Sequence, residues 1–235
     1  MKSPTRFLRS KDKTGRHGMT LIEVMVAAAI SGLVVLGTVS FFIQALNIYH
    51  YDSGKLKVNR DIRKLTSEMT DSATYANYAL IYPSFSARTK IVTVTNPDTG
   101  VTTTSGVPLQ VEDGQSGDML VLVYVDPADD TKIQRMVGYF RAPANPNDPA
   151  SEGPVRRFDT TFSPTSSSAA VDLLPSVASM NTWPEVIELS RGLSEGRLFH
   201  NFYGRSVMIR GQIFHSGDLN RRATNTYNFT ISPRG

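Results

Sequence analysis

The stretch Gly18-Met19-Thr20-Leu21-Ile22-Glu23 stands between a basic leader and the uncharged run Val24–Ile43. A helix over this run of 20 residues is about 30 Å long, which is about the thickness of the hydrocarbon core of a bilayer. Glu23 lies at the leading edge of the run, where an ordinary membrane anchor avoids a charge. The pattern therefore predicts a membrane-spanning helix that carries a carboxylate in its first turn.

The leader, residues 1–18, has a strong charge bias. Its charged residues are Lys2, Arg6, Arg9, Lys11, Lys13 and Arg16, with Asp12 as the one acidic residue. Positively charged flanks are retained on the cytoplasmic side of a membrane. We therefore expect a single-pass membrane protein whose leader faces the cytoplasm and whose C-terminal part is translocated.

The sequence GMTLIEVMVAAAI, residues 18–30, resembles the processing site of type IV prepilins and type II secretion pseudopilins. In that family a dedicated peptidase cuts after the glycine, and the new N-terminal residue is methylated. The resemblance implies that Gly18 and Met19 are the processing residues and that residues 1–18 are removed. It also implies an inner-membrane location, with the C-terminal domain in the periplasm or in an extracellular filament. It is strong over Gly18–Gln44 and weaker beyond.

Two features differ from the sequence pattern that is typical of a major type IV pilin. Met19 stands where phenylalanine is the commonest first mature residue, and Thr38–Phe42 lacks the proline that major pilins often have there. Together with the closing segment Tyr227–Ile231, they make the chain most similar to a minor subunit, such as the J-type minor pseudopilin.

Glu23 is the residue for which the resemblance implies a role in assembly. After cleavage, Met19 would carry a cationic α-amine, and Glu23 would lie one helical turn further along. A neighbouring subunit's amine would neutralise a carboxylate that is unfavourable near the apolar zone, and would set the axial register. The alternative is that Glu23 is an incidental polar residue close to the lipid headgroups.

The helix is predicted to continue beyond the apolar run. Apolar residues at spacings of three and four form one stripe of an amphipathic helix: Val58, Ile62, Leu65, Met69, Ala73 and Ala76. We expect one helix over Met19–Ala76, with a transmembrane half at 19–44 and an amphipathic half at 45–76. Gly54 and Tyr49–Ser53 are the expected place for a bend. The alternative is an anchor, a loop and a separate helix.

The remaining residues, 77–235, are predicted to form a globular β domain. Six segments rich in β-branched and aromatic residues predict strands: Lys90–Thr95, Met119–Val125, Lys132–Arg141, Val155–Phe162, Ser206–Phe214 and Thr224–Ile231. Turn residues separate them at 96–100, 126–130 and 216–218, and Ala142–Pro154 and Ser163–Ala170 read as irregular loops. The fold class is therefore α+β, a long N-terminal helix packed on a mostly antiparallel sheet, which agrees with a pilin-like fold.

Charge and cysteine content exclude several functions. The chain has 25 Lys and Arg against 21 Asp and Glu, a net charge of +4. Without the leader the counts are 19 and 20, a net charge of −1, so the mature chain lacks the basic excess of a nonspecific nucleic-acid binder. The charge count leaves a small basic patch near Arg221 and Arg222 as an alternative. With no cysteine, there is neither a disulfide nor a thiolate ligand.

Several other motifs resemble functional sites, but each of them also suits a purely structural role. Gly192-Leu193-Ser194-Glu195-Gly196 matches the G-x-S-x-G nucleophile elbow of hydrolases. In that elbow the acid precedes the histidine, but here His200 and His215 both precede the only downstream aspartate, Asp218, so a loop between strands is expected.

Asp126, Asp129 and Asp130 have oxygen ligands suitable for calcium, but their spacing also suits a solvated turn. The histidines at 17, 50, 200 and 215 show no ligand spacing. Trp183 and the aromatic residues of Phe199–Tyr203 are expected to pack in the core.

The predicted function is a minor pilin or pseudopilin that joins or primes a type IV pilus or type II secretion pseudopilus. It is not an enzyme and needs no cofactor or metal. The resemblance implies as partners a prepilin peptidase, other pilins or pseudopilins, and an inner-membrane assembly platform with its ATPase. The alternatives are a membrane-tethered module that binds DNA or an exported protein, and a tethered hydrolase.

Overall fold

The computed structural model of the chain describes residues 18–95, 97–145, 148, 150–215 and 223–234. The leader up to His17, Asn96, the turn at 216–218, and Arg221 and Arg222 lie outside the described residues. The chain divides into two compact units, the first ending at Ile48 and the second beginning at Tyr49.

Helix α1, Leu21–Tyr75, is one α-helix of 55 residues, which confirms the predicted long helix. The predicted bounds Met19–Ala76 are slightly too wide, because the helix begins at Leu21 and ends at Tyr75. Helical hydrogen bonding continues through Gly54 without a break. In the first unit every helical residue is exposed, as expected of an apolar segment that has no partner within its own chain.

In the second unit α1 buries the predicted apolar stripe. Val58, Leu65, Met69 and Ala73 are at most 2% exposed and belong to one core cluster, against which Ile62 also packs. This stripe is the interface between the helix and the sheet.

Gly54 begins this buried face for a steric reason. A Cβ atom built on Gly54 would lie 3.1 Å from Cβ of Ala223 and 3.4 Å from Cδ2 of His215. The glycine therefore lets the helix approach the sheet closely. The bend expected at Gly54 and Tyr49–Ser53 stays a prediction.

Eleven strands are found among the described residues. They are β1 (Tyr78–Tyr82), β2 (Thr89–Thr95), β3 (Thr102–Pro108), β4 (Ser116–Gly117), β5 (Met119–Asp126), β6 (Asp129–Arg141), β7 (Gly153–Ser166), β8 (Glu185–Gly192), β9 (Phe199–Phe202), β10 (Ser206–His215) and β11 (Ala223–Ile231). A 3₁₀ helix covers Val177–Thr182. The main sheet has the order β1-β5-β6-β7-β8-β10-β9-β4, with β11 paired to β10, and β2 pairs only with β3.

All strand pairings are antiparallel, so the predicted α+β class is confirmed. Both faces of the main sheet are covered. One packs on the α1 stripe, and the other buries Phe85, Phe140 and Phe158 beneath a segment that includes Leu174 and Trp183.

Each of the six predicted strands is present, but β1, β3, β4, β8 and β9 were not predicted. Ser163–Ala170 was predicted to be irregular, and this is wrong for its first part, because β7 continues to Ser166. There Ser166 pairs with Ile133 of β6. Pairing with a neighbouring strand supplies hydrogen bonds that the local Ser and Pro content does not reveal.

Candidate functional site

The predicted cleavage position lies immediately before α1. Gly18 and Met19 have no regular secondary structure and are exposed, and the helix begins two residues later, at Leu21. Nothing within 4 Å surrounds the position where Gly18 would carry a side chain. The backbone at 18–19 is therefore accessible to an enzyme that must approach both sides of a peptide bond.

Thr20 and Glu23 close the N-terminal end of the helix with reciprocal hydrogen bonds. The Thr20 backbone N–H donates to Oε2 of Glu23 at 2.8 Å, and the Thr20 hydroxyl donates to the same oxygen at 3.0 Å. In return the Glu23 N–H lies 3.4 Å from Oγ1 of Thr20. This arrangement is a capping box, which satisfies N–H groups that have no partner inside the helix.

The capping box gives Glu23 a structural role that sequence reasoning missed. The signal was present, because Thr20 and Glu23 have the T-x-x-E spacing that precedes an apolar helix. The same box explains why the carboxylate tolerates its position beside Val24–Ile43. The N–H groups and the positive end of the helix dipole stabilise it locally.

Within the described residues, α1 is the one helix long and apolar enough to cross a membrane. Its most apolar 18 residues have a mean hydropathy of 2.3, and none of that window is buried. A buried core helix is thereby excluded for this segment, and a single N-terminal membrane anchor is consistent with it.

The family model of the prokaryotic N-terminal methylation motif matches residues 13–39. The motif indicates a type IV pilin-like or pseudopilin-like protein. It implies processing by a prepilin peptidase and assembly with other pilins, and it points to a structural family that is generally non-enzymatic. No curated protein and no solved structure gave a match to the chain.

The methylation motif and the first turn of α1 overlap in one segment. The match contains Gly18, Met19, Thr20 and Glu23, and it extends into the exposed apolar half of the helix. The residues predicted for processing and for assembly therefore all lie within the six-residue stretch 18–23, at a single helix start.

The G-x-S-x-G match is a hairpin turn, as expected. Ser194 and Arg197 exchange backbone hydrogen bonds at 3.0 and 2.8 Å, and Glu195 and Gly196 between them have φ of 55° and 78°. These angles belong to a two-residue turn between β8 and β9. The Ser194 hydroxyl is buried and has no hydrogen-bond partner among the described residues. No described histidine is therefore placed to accept its proton.

A buried ion pair fixes this turn, and sequence reasoning missed it. Arg141 donates to both oxygens of Asp118, at 3.0 and 2.7 Å, and its side chain is 0% exposed. The same guanidinium donates to the Gly196 carbonyl at 2.8 Å, and the Leu198 N–H donates to Asp118 at 3.2 Å. Arg141 also donates to the Ser151 carbonyl, so the cluster ties both the β8–β9 turn and the loop between β6 and β7 to the sheet.

In the acidic turn at 126–130, the carboxylates of Asp126 and Asp129 accept hydrogen bonds from within the chain. Asp126 accepts from the Ala128 N–H at 2.9 Å and from the Thr165 hydroxyl at 3.2 Å. Hydrogen bonds from Thr131 and then Lys132 lower the pKa of Asp129 to about 2. Among the described residues no group of three His, Cys, Asp or Glu side chains is placed to hold a metal ion.

The structure also places His200, Trp183 and the aromatic residues of Phe199–Tyr203. Nδ1 of His200 hydrogen-bonds the Ser116 hydroxyl at 3.0 Å. Trp183 packs 5.9 Å from the Phe158 ring centre, which confirms its role as a packing anchor. The expectation for Phe199–Tyr203 is right for Phe199, which is buried, and wrong for the other two aromatic residues. Phe202 and Tyr203 are 45% and 73% exposed, because Phe202 ends β9 and Tyr203 lies in the turn that follows it.

Proposed function

We propose that the chain is a minor pilin or pseudopilin, a structural subunit that joins or primes a type IV pilus or a type II secretion pseudopilus, and that it has no enzymatic activity. The observation that carries the proposal is the methylation motif at 13–39, which coincides with an accessible helix start and an exposed apolar helix half. The absent proline in Thr38–Phe42 supports a minor subunit over a major pilin.

In this function the leader stays in the cytoplasm and a prepilin peptidase cuts between Gly18 and Met19. The basic leader residues support this orientation. The mature chain remains anchored by residues 19–44, with the second unit on the opposite side of the membrane. An assembly platform and its ATPase then extract the subunit into a filament.

Glu23 pairs with the N-terminal amine of a neighbouring subunit in this proposal. The capping box occupies Oε2 of Glu23, through both Thr20 groups. The carboxylate keeps its second oxygen, Oε1, for an incoming cation. An ammonium beside this oxygen would neutralise the one ionisable side chain between residues 19 and 48.

The experiment separates the charge of Glu23 from its capping role. Glu23→Gln keeps the shape and removes the charge, whereas Thr20→Val removes the capping hydroxyl and keeps the charge. Both variants are expressed with the cognate assembly machinery, and their incorporation into sheared filaments is compared with their amount in the membrane. We expect Glu23→Gln to lower incorporation at least tenfold and Thr20→Val to lower it no more than about twofold.

Equal incorporation of Glu23→Gln and the unchanged chain would contradict the assembly role of Glu23. An equal loss in both variants would assign Glu23 to helix capping alone. Membrane levels serve as the control, because neither substitution adds charge to the apolar run and insertion should therefore persist.

A further inference from the structure

The end strand β1 borders an open cleft in the second unit. The cleft has a volume of about 560 Å³, which lies within the range of ligand pockets. Tyr78–Ile81 form one wall, Gln110 and Val111 form another, and the start of β10 with Pro233 forms the third. β1 pairs with β5 on its inner side only, so its outer edge faces this space.

The backbone of β1 has hydrogen-bonding groups directed into the cleft. The carbonyl of Ile81 points outward, because it accepts the Val111 N–H at 2.8 Å. Groups two residues apart on a strand point to the same side, so the N–H and C=O of Ala79 also face outward. Among the described residues no hydrogen bond from another segment reaches these two groups.

A tight turn adds a cation to the same cleft. Tyr203 and Gly204 have φ of 55° and 63°, and this turn from β9 to β10 leads directly into Arg205. Arg205 lines the cleft and is its one formally charged lining residue. It has no ion-pair partner within the described part of the chain.

We propose that this cleft binds an extended peptide segment that carries a carboxylate. The peptide adds as a strand to the outer edge of β1, exchanging backbone hydrogen bonds with Ala79, and its carboxylate pairs with Arg205. An open strand edge recognises an extended backbone in any sequence, and the lone cation selects acidic segments over basic ones. The inference does not rest on filament assembly, since the cleft belongs entirely to the second unit.

Hydrogen exchange of the full-length chain in detergent micelles tests the proposal. The probes are two synthetic peptides with blocked ends, Thr-Val-Thr-Val-Asp and Thr-Val-Thr-Val-Lys, added at millimolar concentration. We expect the aspartate peptide to slow exchange at residues 77–82, with the lysine peptide binding at least about fivefold more weakly. Protection elsewhere, or equal protection by both peptides, would overturn the proposal.

Two variants locate the contacts. Ala79→Pro removes the outward N–H donor without removing a bond to β5, and Ala79→Ser keeps the donor as the matched control. The proline variant should abolish protection and the serine variant should retain it. Arg205→Glu should weaken the aspartate peptide at least about fivefold and strengthen the lysine peptide.

Folding of each variant is checked by the fluorescence of Trp183, the single tryptophan of the chain. If Ala79→Pro does not fold, Arg205→Glu and the two peptides still decide the question. Unchanged peptide binding in Arg205→Glu would contradict the assigned role of the cation.

Discussion

Leu33 and Leu56 lie in the same helix and are almost equally exposed, at 70% and 72%. Their neighbours differ completely. Leu33 stands within the uncharged run Val24–Ile43, whereas Leu56 stands between Lys55 and Lys57. Exposure in an isolated chain therefore does not separate a lipid-facing residue from a water-facing one. The charge pattern of the neighbouring residues does, because hydrocarbon excludes charge on every face of a helix.

The two halves of α1 also differ in what they bury. Residues 21–48 bury nothing within the chain, and residues 49–75 bury one stripe against the sheet. A helix that is apolar all round needs an apolar surrounding, whereas an amphipathic helix is stabilised by its own domain. The same secondary structure therefore has two sources of stability.

The largest expected effect is the loss of stability when a buried leucine in the second half of α1 is replaced by alanine. Leu65→Ala in the buried stripe should lower the free energy of unfolding of the second unit by about 2–5 kcal/mol. Leu36→Ala, at a 68% exposed position of the first unit, should leave it unchanged. Urea unfolding of the full-length chain in detergent, followed by Trp183 fluorescence, measures both. Equal effects at Leu36 and Leu65 would remove the distinction between the halves.

A charged side chain placed in α1 should affect membrane insertion in the first half of the helix only. Leu33→Lys should disfavour membrane insertion by about 3 kcal/mol, since lysine is strongly unfavourable at the centre of a spanning helix. Leu56→Lys, at matched exposure, should leave insertion unchanged. The readout is the fraction of chain that resists alkaline carbonate extraction from membranes. Loss of insertion in both variants would extend the membrane-spanning segment beyond residue 48.

Two glycines of α1 give a smaller, steric contrast. Gly54→Leu should destabilise the second unit by about 1–3 kcal/mol, because the added side chain meets Ala223 and His215. Gly37→Leu should have no effect on the unfolding of that unit, since nothing lies within 4 Å of the added Cβ. The Trp183 unfolding midpoint measures both. An unchanged midpoint for Gly54→Leu would contradict the close approach of helix and sheet.

A further contrast between the two halves is expected in alkaline solution. Burial raises the pKa of Tyr227 to about 12, against the opposing effect of its hydrogen bond with Ser190. The unfolded chain loses this proton near pH 10 and the folded chain keeps it until about pH 12, so stability should fall as the pH rises through this window. Residues 21–48 contain no tyrosine, and their helicity should persist.

Tyr227→Phe sharpens this test. The variant should lose about 0.5–1.5 kcal/mol near neutral pH, because the hydrogen bond with Ser190 is removed. Its further loss of stability between pH 10 and 12 should be smaller than in the unchanged chain. Circular dichroism reports the helix and Trp183 fluorescence reports the second unit. Identical alkaline slopes in the two chains would exclude Tyr227 as the titrating group.

The helix could be predicted from sequence in detail because its signals are local. The stripe from Val58 to Ala73 follows from helical spacing alone, and the apolar run follows from composition. The motif around Gly18 is likewise contiguous. The capping role of Glu23 was also readable, since Thr20 stands three residues before it.

The missed features depend on residues distant in sequence. β1 and β9 were not predicted because they are short, and their strand state is set by pairing with β5 and β10. The Asp118–Arg141 pair joins residues 23 positions apart. Asp118 lies between β4 and β5 and Arg141 ends β6, and no local pattern specifies the register that brings them together. Phe202 and Tyr203 were expected in the core because they are aromatic. Both are exposed, at the end of β9 and in the turn that begins at Tyr203.

The mass of the mature chain shows directly whether it is processed as a prepilin. Cleavage between Gly18 and Met19 would place a new N-terminal amine within one turn of the start of α1. Intact-mass spectrometry of the membrane-extracted protein, from cells with an active prepilin peptidase, should give a chain of residues 19–235 with one added methyl group on Met19. Gly18 replaced by a bulky residue, as in Gly18→Leu, should retain the leader. A mass that includes residues 1–18 in the unchanged chain would contradict the account.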